Sequence, residues 1–161
     1  MESTKNIEEL KQIIEKKTFG LEDIYKIIPQ RDPFLMIDEV INIDINRKNI
    51  LCKKTIKEDK DWFLKGHFPN NPIVPGVIMI EMMAQTSCVL CKSVNIDKIG
   101  TYLLTGVDKC KFAGISTIGD ELNIYAEIIR EKKDLFISTC NIAKNDKIIA
   151  QCQITAFRKE I

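Results

Sequence analysis

At 161 residues, 45% of them hydrophobic and 29% charged, the chain is long enough for one domain with its own core. Its 24 basic and 23 acidic side chains leave a net charge of +1, and no basic excess points to nucleic acid or to an anionic membrane surface. The N-terminus, MESTKNIEELKQ, carries acids early and lacks an apolar signal core, so secretion is not expected and a cytoplasmic setting is. Six cysteines in such a chain read as reduced, packed thiols rather than a disulfide scaffold. Cys88 and Cys91 form a C-x-x-C within an apolar helix, but no second ligand pair of similar spacing exists, and no metal is expected.

Residues 1–20 read as an N-terminal extension built on one helix. Asn6 is placed to cap it, with Glu9 three residues on, and Ile7, Leu10, Ile13 and Ile14 share one face. Phe19-Gly20 is expected to end it. Residues 21–161 read as a single domain. A short helix carries Leu21, Ile24, Ile27 and Ile28 on one side and stops at Pro29, and QRDPF (30–34) is a turn by its proline and aspartate. Two strand-like runs follow, 34–43 and 49–56, joined by the polar loop DINRK. A long loop from about Trp62 to Pro75 leads into a helix from about Gly76 to Ser93. That helix is apolar nearly all round, so other structure must wrap it. Its run from Ile73 to Leu90 is broken by Glu81, Gln85, Thr86 and Ser87, which is too polar for a membrane span.

The pattern then turns to period two. Tyr102 to Phe112 is one strand region, and Leu122, Ile124, Ala126 and Ile128 alternate in the next. Phe136, Ser138, Cys140 and Ile142 share one face of the following strand, with Leu135, Ile137 and Thr139 on the other. Ile148, Ala150, Cys152, Ile154 and Ala156 mark a last strand. The turns EKKD (131–134) and KNDK (144–147) connect these three as a meander. One buried helix wrapped by a curled antiparallel sheet of five or six strands is an α+β domain.

Chemistry concentrates in residues 66–85, GHFPNNPIVPGVIMIEMMAQ. His67 is the only histidine in the chain. Histidine is the side chain whose ordinary pKa lies near neutrality, as a proton-abstracting base requires. On its own it reads more readily as a histidine bonded to loop backbone, and flanking Gly66, Phe68 and Pro69, which stiffen the loop, shift the reading toward a positioned base. Glu81 is the only charge between Gly66 and Lys92, and burial would raise its pKa and favour a protonated acid. The bland alternative is a carboxylate facing a solvent channel or paired with a lysine. Gln85 lies one turn on, placed to orient that carboxyl group. Gly76 and Val77 open the helix with amides that lack intrahelical partners, which alone reads as a helix start with nothing bound and otherwise as a donor site for a carbonyl oxygen gaining charge.

These motifs resemble those of the β-hydroxyacyl-acyl-carrier-protein dehydratases of the FabZ type. The resemblance lies in G-H-F-P (66–69), then P-x-x-P-G-V (72–77), then Glu81 and M-A-Q (83–85). Upstream, P-Q-R-D-P-F-L-M-I-D (29–38) is similar to the family's P-H-R-x-P-F-L-x-x-D; downstream, G-V-D-K-C-K-F (106–112) is similar to its G-I-D-x-x-K/R-F, with Gly119-Asp120 after it. The likeness runs from about Leu21 to Arg158. It implies a hot-dog fold, homodimers that can assemble as trimers of dimers, and an acyl carrier protein bearing the substrate as partner. It implies that His67 and Glu81 are the catalytic pair, meeting across the dimer interface, that the Gly76 amide binds the thioester carbonyl, and that no cofactor is needed. Glu81 favours the FabZ branch over the FabA branch, which usually has aspartate there. Gln30 stands where the family often has histidine, AGISTI (113–118) departs from its usual segment, and Tyr102 falls near a tyrosine-rich stretch that gates the tunnel in relatives. A hot-dog acyl thioesterase and a non-catalytic acyl-binding subunit are the alternatives.

Overall fold

The computed structural model describes residues 2–160. Helix α1 (Glu2–Glu15) leads through a turn at Lys17 to a two-residue strand, β1 (Phe19–Gly20), and the short helix α2 (Leu21–Ile27). Strands β2 (Glu39–Asp44) and β3 (Asn49–Thr55) form a hairpin. A 3-10 turn (Trp62–Lys65) and a loop precede the long helix α3 (Gly76–Val94). Strands β4 (Thr101–Phe112), β5 (Glu121–Lys132), β6 (Leu135–Lys144) and β7 (Lys147–Lys159) complete the chain. All pairings are antiparallel, in one seven-stranded sheet of order β1-β2-β3-β5-β6-β7-β4.

Alternation decides which face of each strand meets the helix. Leu122, Ile124, Ala126 and Ile128 of β5 are buried, as are Phe136, Ser138, Cys140 and Ile142 of β6. Against them α3 packs Met79, Met82, Met83, Val89 and Leu90, each nearly or fully buried and each contributing about 1.5–3 kcal/mol. Contrary to the sequence expectation, α3 is by length and composition apolar enough to cross a membrane; here it is mostly buried as the core of the fold. The β6–β7 hairpin turns through Asn145 (φ 49) and Asp146 (φ 62), the left-handed pair that a tight two-residue turn requires.

Four further expectations need correction. The first helix begins at Glu2, so Asn6 lies inside it and does not cap it, and it ends at Glu15. Phe19-Gly20 instead pairs with Val40 and Glu39, adding a strand at the sheet edge and bringing the strand number to seven. Residues 34–38 are not strand. Leu35, Met36 and Ile37 are all buried, and a run buried on every side has no alternation to read. In β7 the register shifts: Ile142 faces Ala150 while Ala143 faces Ile148. Ile149 is the extra residue, which turns Ile148 outward and buries itself.

Candidate active site

His67 sits just after the 3-10 turn, in a loop held by backbone bonds on both sides. Its amide donates to the Phe63 carbonyl (3.1 Å), and its carbonyl accepts from the Ile73 amide (2.8 Å). Upstream, Asp61 receives the Lys57 amide at 2.6 Å and forms a 2.9 Å ion pair with Lys54, both side chains being about 5% exposed. Lys54 also lies 3.5 Å from Asp38, which accepts the Thr55 amide. Downstream, the loop leans on the divergent segment 113–118. The Val74 amide donates to the Ser116 carbonyl, and the Thr117 hydroxyl donates to the Pro72 carbonyl.

The ring of His67 is half-buried, stacks on Phe68, and places Nδ1 3.1 Å from the Ile73 carbonyl oxygen. A carbonyl oxygen only accepts, so the neutral ring carries its proton on Nδ1. Nε2 is left with a free lone pair, the form a base needs.

Glu81 lies five residues into α3, and its carboxyl is oriented by a fully buried Gln85. Gln85 Oε1 accepts the Met36 amide at 2.8 Å, while Nε2 donates at 2.7 Å to both the Phe34 carbonyl and Glu81 Oε1. The backbone donor and acceptor fix which way the amide points. Glu81 Oε1 must therefore accept, and any proton the carboxyl group carries lies on Oε2. Burial raises the Glu81 pKa, and the Gln85 hydrogen bond offsets part of that rise. The folded value thus lies above the unfolded one. Stability tied to neutral Glu81 is present below about pH 4.5 and lost as pH rises through the folded pKa. Glu81→Gln, which cannot ionise, should melt at or above the wild-type temperature at neutral pH. The gap should close on acidification; a gap that stays constant with pH would show that burial does not disfavour the carboxylate.

At the start of α3, Pro75 is the cap, and its carbonyl accepts from Ile78 and Met79. Among the described residues, the Gly76 and Val77 amides have no acceptor. Val77 is 71% exposed, so this end of the helix is open. A Cβ on Gly76 would approach the Phe112 ring to 3.0 Å, so a side chain there would push that exposed ring back from the helix start by a few tenths of an ångström.

Glu81 and Gln85 are joined directly, whereas among the described residues no ion pair or hydrogen bond links His67 to Glu81 within the chain. The Ile73 carbonyl, the Phe34–Met36 backbone and Phe112 are parts of the site that the sequence reading did not single out. The first two act through backbone atoms, which leave no side-chain signature.

Residues 28–153 match the model of the FabA-like domain. The chain belongs to the FabA-like family. Curated relatives of the FabZ type match over most of the chain: the 3-hydroxyacyl-[acyl-carrier-protein] dehydratase FabZ of Clostridium beijerinckii is 34% identical over 135 residues, covering 84% of this chain and 95% of that one. The FabZ of Rickettsia akari is 34% identical over 139 residues, covering 86% and 94%. Among solved structures, the dehydratase heterocomplex ApeI:P from Xenorhabdus doucetiae aligns with a TM-score of 0.74 at 18% identity, over 85% of this FabA-like chain and 91% of that one. At such identity the likeness shows the fold alone, the hot-dog fold.

Proposed function

We propose that the chain dehydrates (3R)-3-hydroxyacyl thioesters of acyl carrier protein to trans-2-enoyl thioesters, in type II fatty acid biosynthesis in the cytoplasm. Membership of the FabZ branch supports the reaction. The observation that carries the chemistry is the Gln85 clasp, which aims a Glu81 whose pKa burial raises. His67 Nε2 removes a C2 proton. The Gly76 and Val77 amides donate to the thioester oxygen as charge builds there. Glu81 Oε2 gives its proton to the C3 hydroxyl, the C3–O bond breaks, water leaves, and the C2–C3 double bond forms. No cofactor enters these steps.

His67 and Glu81 work, in this reading, across a homodimer. β4 is the edge strand opposite β1, twelve residues long, with Leu103, Leu104 and Val107 exposed on it. A long apolar edge invites pairing with a second copy, and further assembly to a trimer of dimers is compatible with it. Purified protein incubated with a 3-hydroxyacyl carrier thioester should yield the enoyl thioester, identified by mass as loss of one water. Free carrier thiol would mark a thioesterase instead, and unchanged substrate a binding subunit.

A further inference from the structure

We propose that Lys92 limits the length of the acyl chain, as the back wall of a chain-end cavity at the C-terminal end of α3. The proposal rests on the dehydratase reading above. Glu81, Gln85, Cys88 and Lys92 follow one another on a single face of α3. Measured along the axis, Cys88 lies about 10 Å and Lys92 about 16 Å beyond Glu81. A chain whose reacting carbon sits at Glu81, and which follows this face, runs toward the helix end. Two cavities meet there, and they share Lys92 and Gly100.

The inner cavity, about 20 Å³, is lined by Ile28, Gln30, Cys88 and Tyr102. Among the described residues, the Tyr102 hydroxyl and Gln30 Oε1 are buried without a hydrogen-bond partner. Neither atom has a protein hydrogen bond for an arriving chain end to break. The outer cavity, about 300 Å³, lies under α1 and is lined by apolar side chains (Ile7, Leu10, Ile96) and polar ones (Asn6, Lys26, Asp97).

Lys92 stands between the two. Its ammonium donates to the Lys98 carbonyl at 2.7 Å, which holds the aliphatic stem in place. The other shared wall is backbone. Gly100 has φ +130, and a Cβ there would lie 2.8 Å from the Lys159 carbonyl oxygen across the β4–β7 pairing. The one side chain that divides the chambers is therefore Lys92.

The test compares kcat/KM for 3-hydroxybutyryl, 3-hydroxyoctanoyl and 3-hydroxypalmitoyl carrier thioesters within each variant. Lys92→Ala joins the chambers and should raise the palmitoyl-to-butyryl ratio about tenfold or more, as burying two further methylenes would. Lys92→Met keeps the stem and should leave that ratio near the wild-type one; a rise equal to that of Lys92→Ala would mean that charge, not length, is read, and would overturn the proposal. Cys88→Leu fills the inner cavity and should lower the octanoyl-to-butyryl ratio. Unchanged ratios in folded Lys92→Ala and Cys88→Leu overturn it as well, and Cys88→Leu alone decides if Lys92→Ala does not fold. Failure of the wild-type protein to dehydrate any of the three would overturn the dehydratase reading instead.

Discussion

Mixing His67→Ala with Glu81→Gln subunits should return activity that neither parent has. Each single variant should fold and lose about a hundredfold to ten-thousandfold of its turnover, the usual contribution of a positioned acid or base. No second histidine exists to replace His67, and no other charge lies on α3 before Lys92. Among the described residues no hydrogen bond or ion pair joins the two side chains within one chain, while Gln85 holds Glu81 and Ile73 holds His67. If the partners come from different subunits, a heterodimer has one site with both lesions and one with neither. About half of the wild-type rate per heterodimer should then reappear. The subunits must be co-expressed or refolded together so that they exchange. Verified heterodimers as inactive as their parents would place the pair within a single chain.

The largest loss of stability should come from a residue that touches no substrate. Lys54→Met leaves Asp61 buried without its cation, and Asp38 without its neighbour. Removing one partner of a buried pair costs about 3–5 kcal/mol. For a chain of this size that is a fall of about 10 °C in Tm. Turnover should fall too, because Asp61 starts the 3-10 turn whose Phe63 carbonyl receives the His67 amide. Adding Asp61→Asn, whose oxygen can still accept the Lys57 amide, should restore much of the stability, since no charge is then stranded at that position. Thermal melts of the two singles and the double measure this coupling. A Lys54→Met protein that melts with the wild type would show that the pair contributes nothing net.

The parts of the fold written in side-chain periodicity were legible. Helix α3 announced itself by an apolar run too long for a strand, and β5 and β6 by strict alternation. What failed had no period to read. Phe19-Gly20 is two residues long, and it is a strand only because Val40 and Glu39 lie beside it. Residues 35–37 are buried on all sides, so helix, strand and coil look alike there. The slip at Ile149 is set by a bulge against Ala143 that no local pattern marks. In the site, the identities of His67, Glu81 and Gln85 stood out because polar groups are scarce in that segment. Their partners at Phe34, Met36 and Ile73 are backbone atoms brought from a distance by the fold. Lys54 did leave a trace: it follows Ile50 and Cys52 on the inward face of β3, where a lysine is out of place.

The bond from His67 Nδ1 to the Ile73 carbonyl also governs how the proposed reaction resets. With Nδ1 committed to that oxygen, the ring has a single face through which protons pass. The proton taken from substrate arrives at Nε2 and must depart from Nε2, because Nδ1 offers no second route to solvent while its bond holds. Product therefore blocks the base it has just protonated. Recharging Glu81 and discharging His67 both wait until the acyl chain withdraws and water enters the same mouth. Turnover is then paced by the traffic of substrate and solvent through one opening, and solvent viscosity should slow the steady-state rate more than it slows the first chemical event.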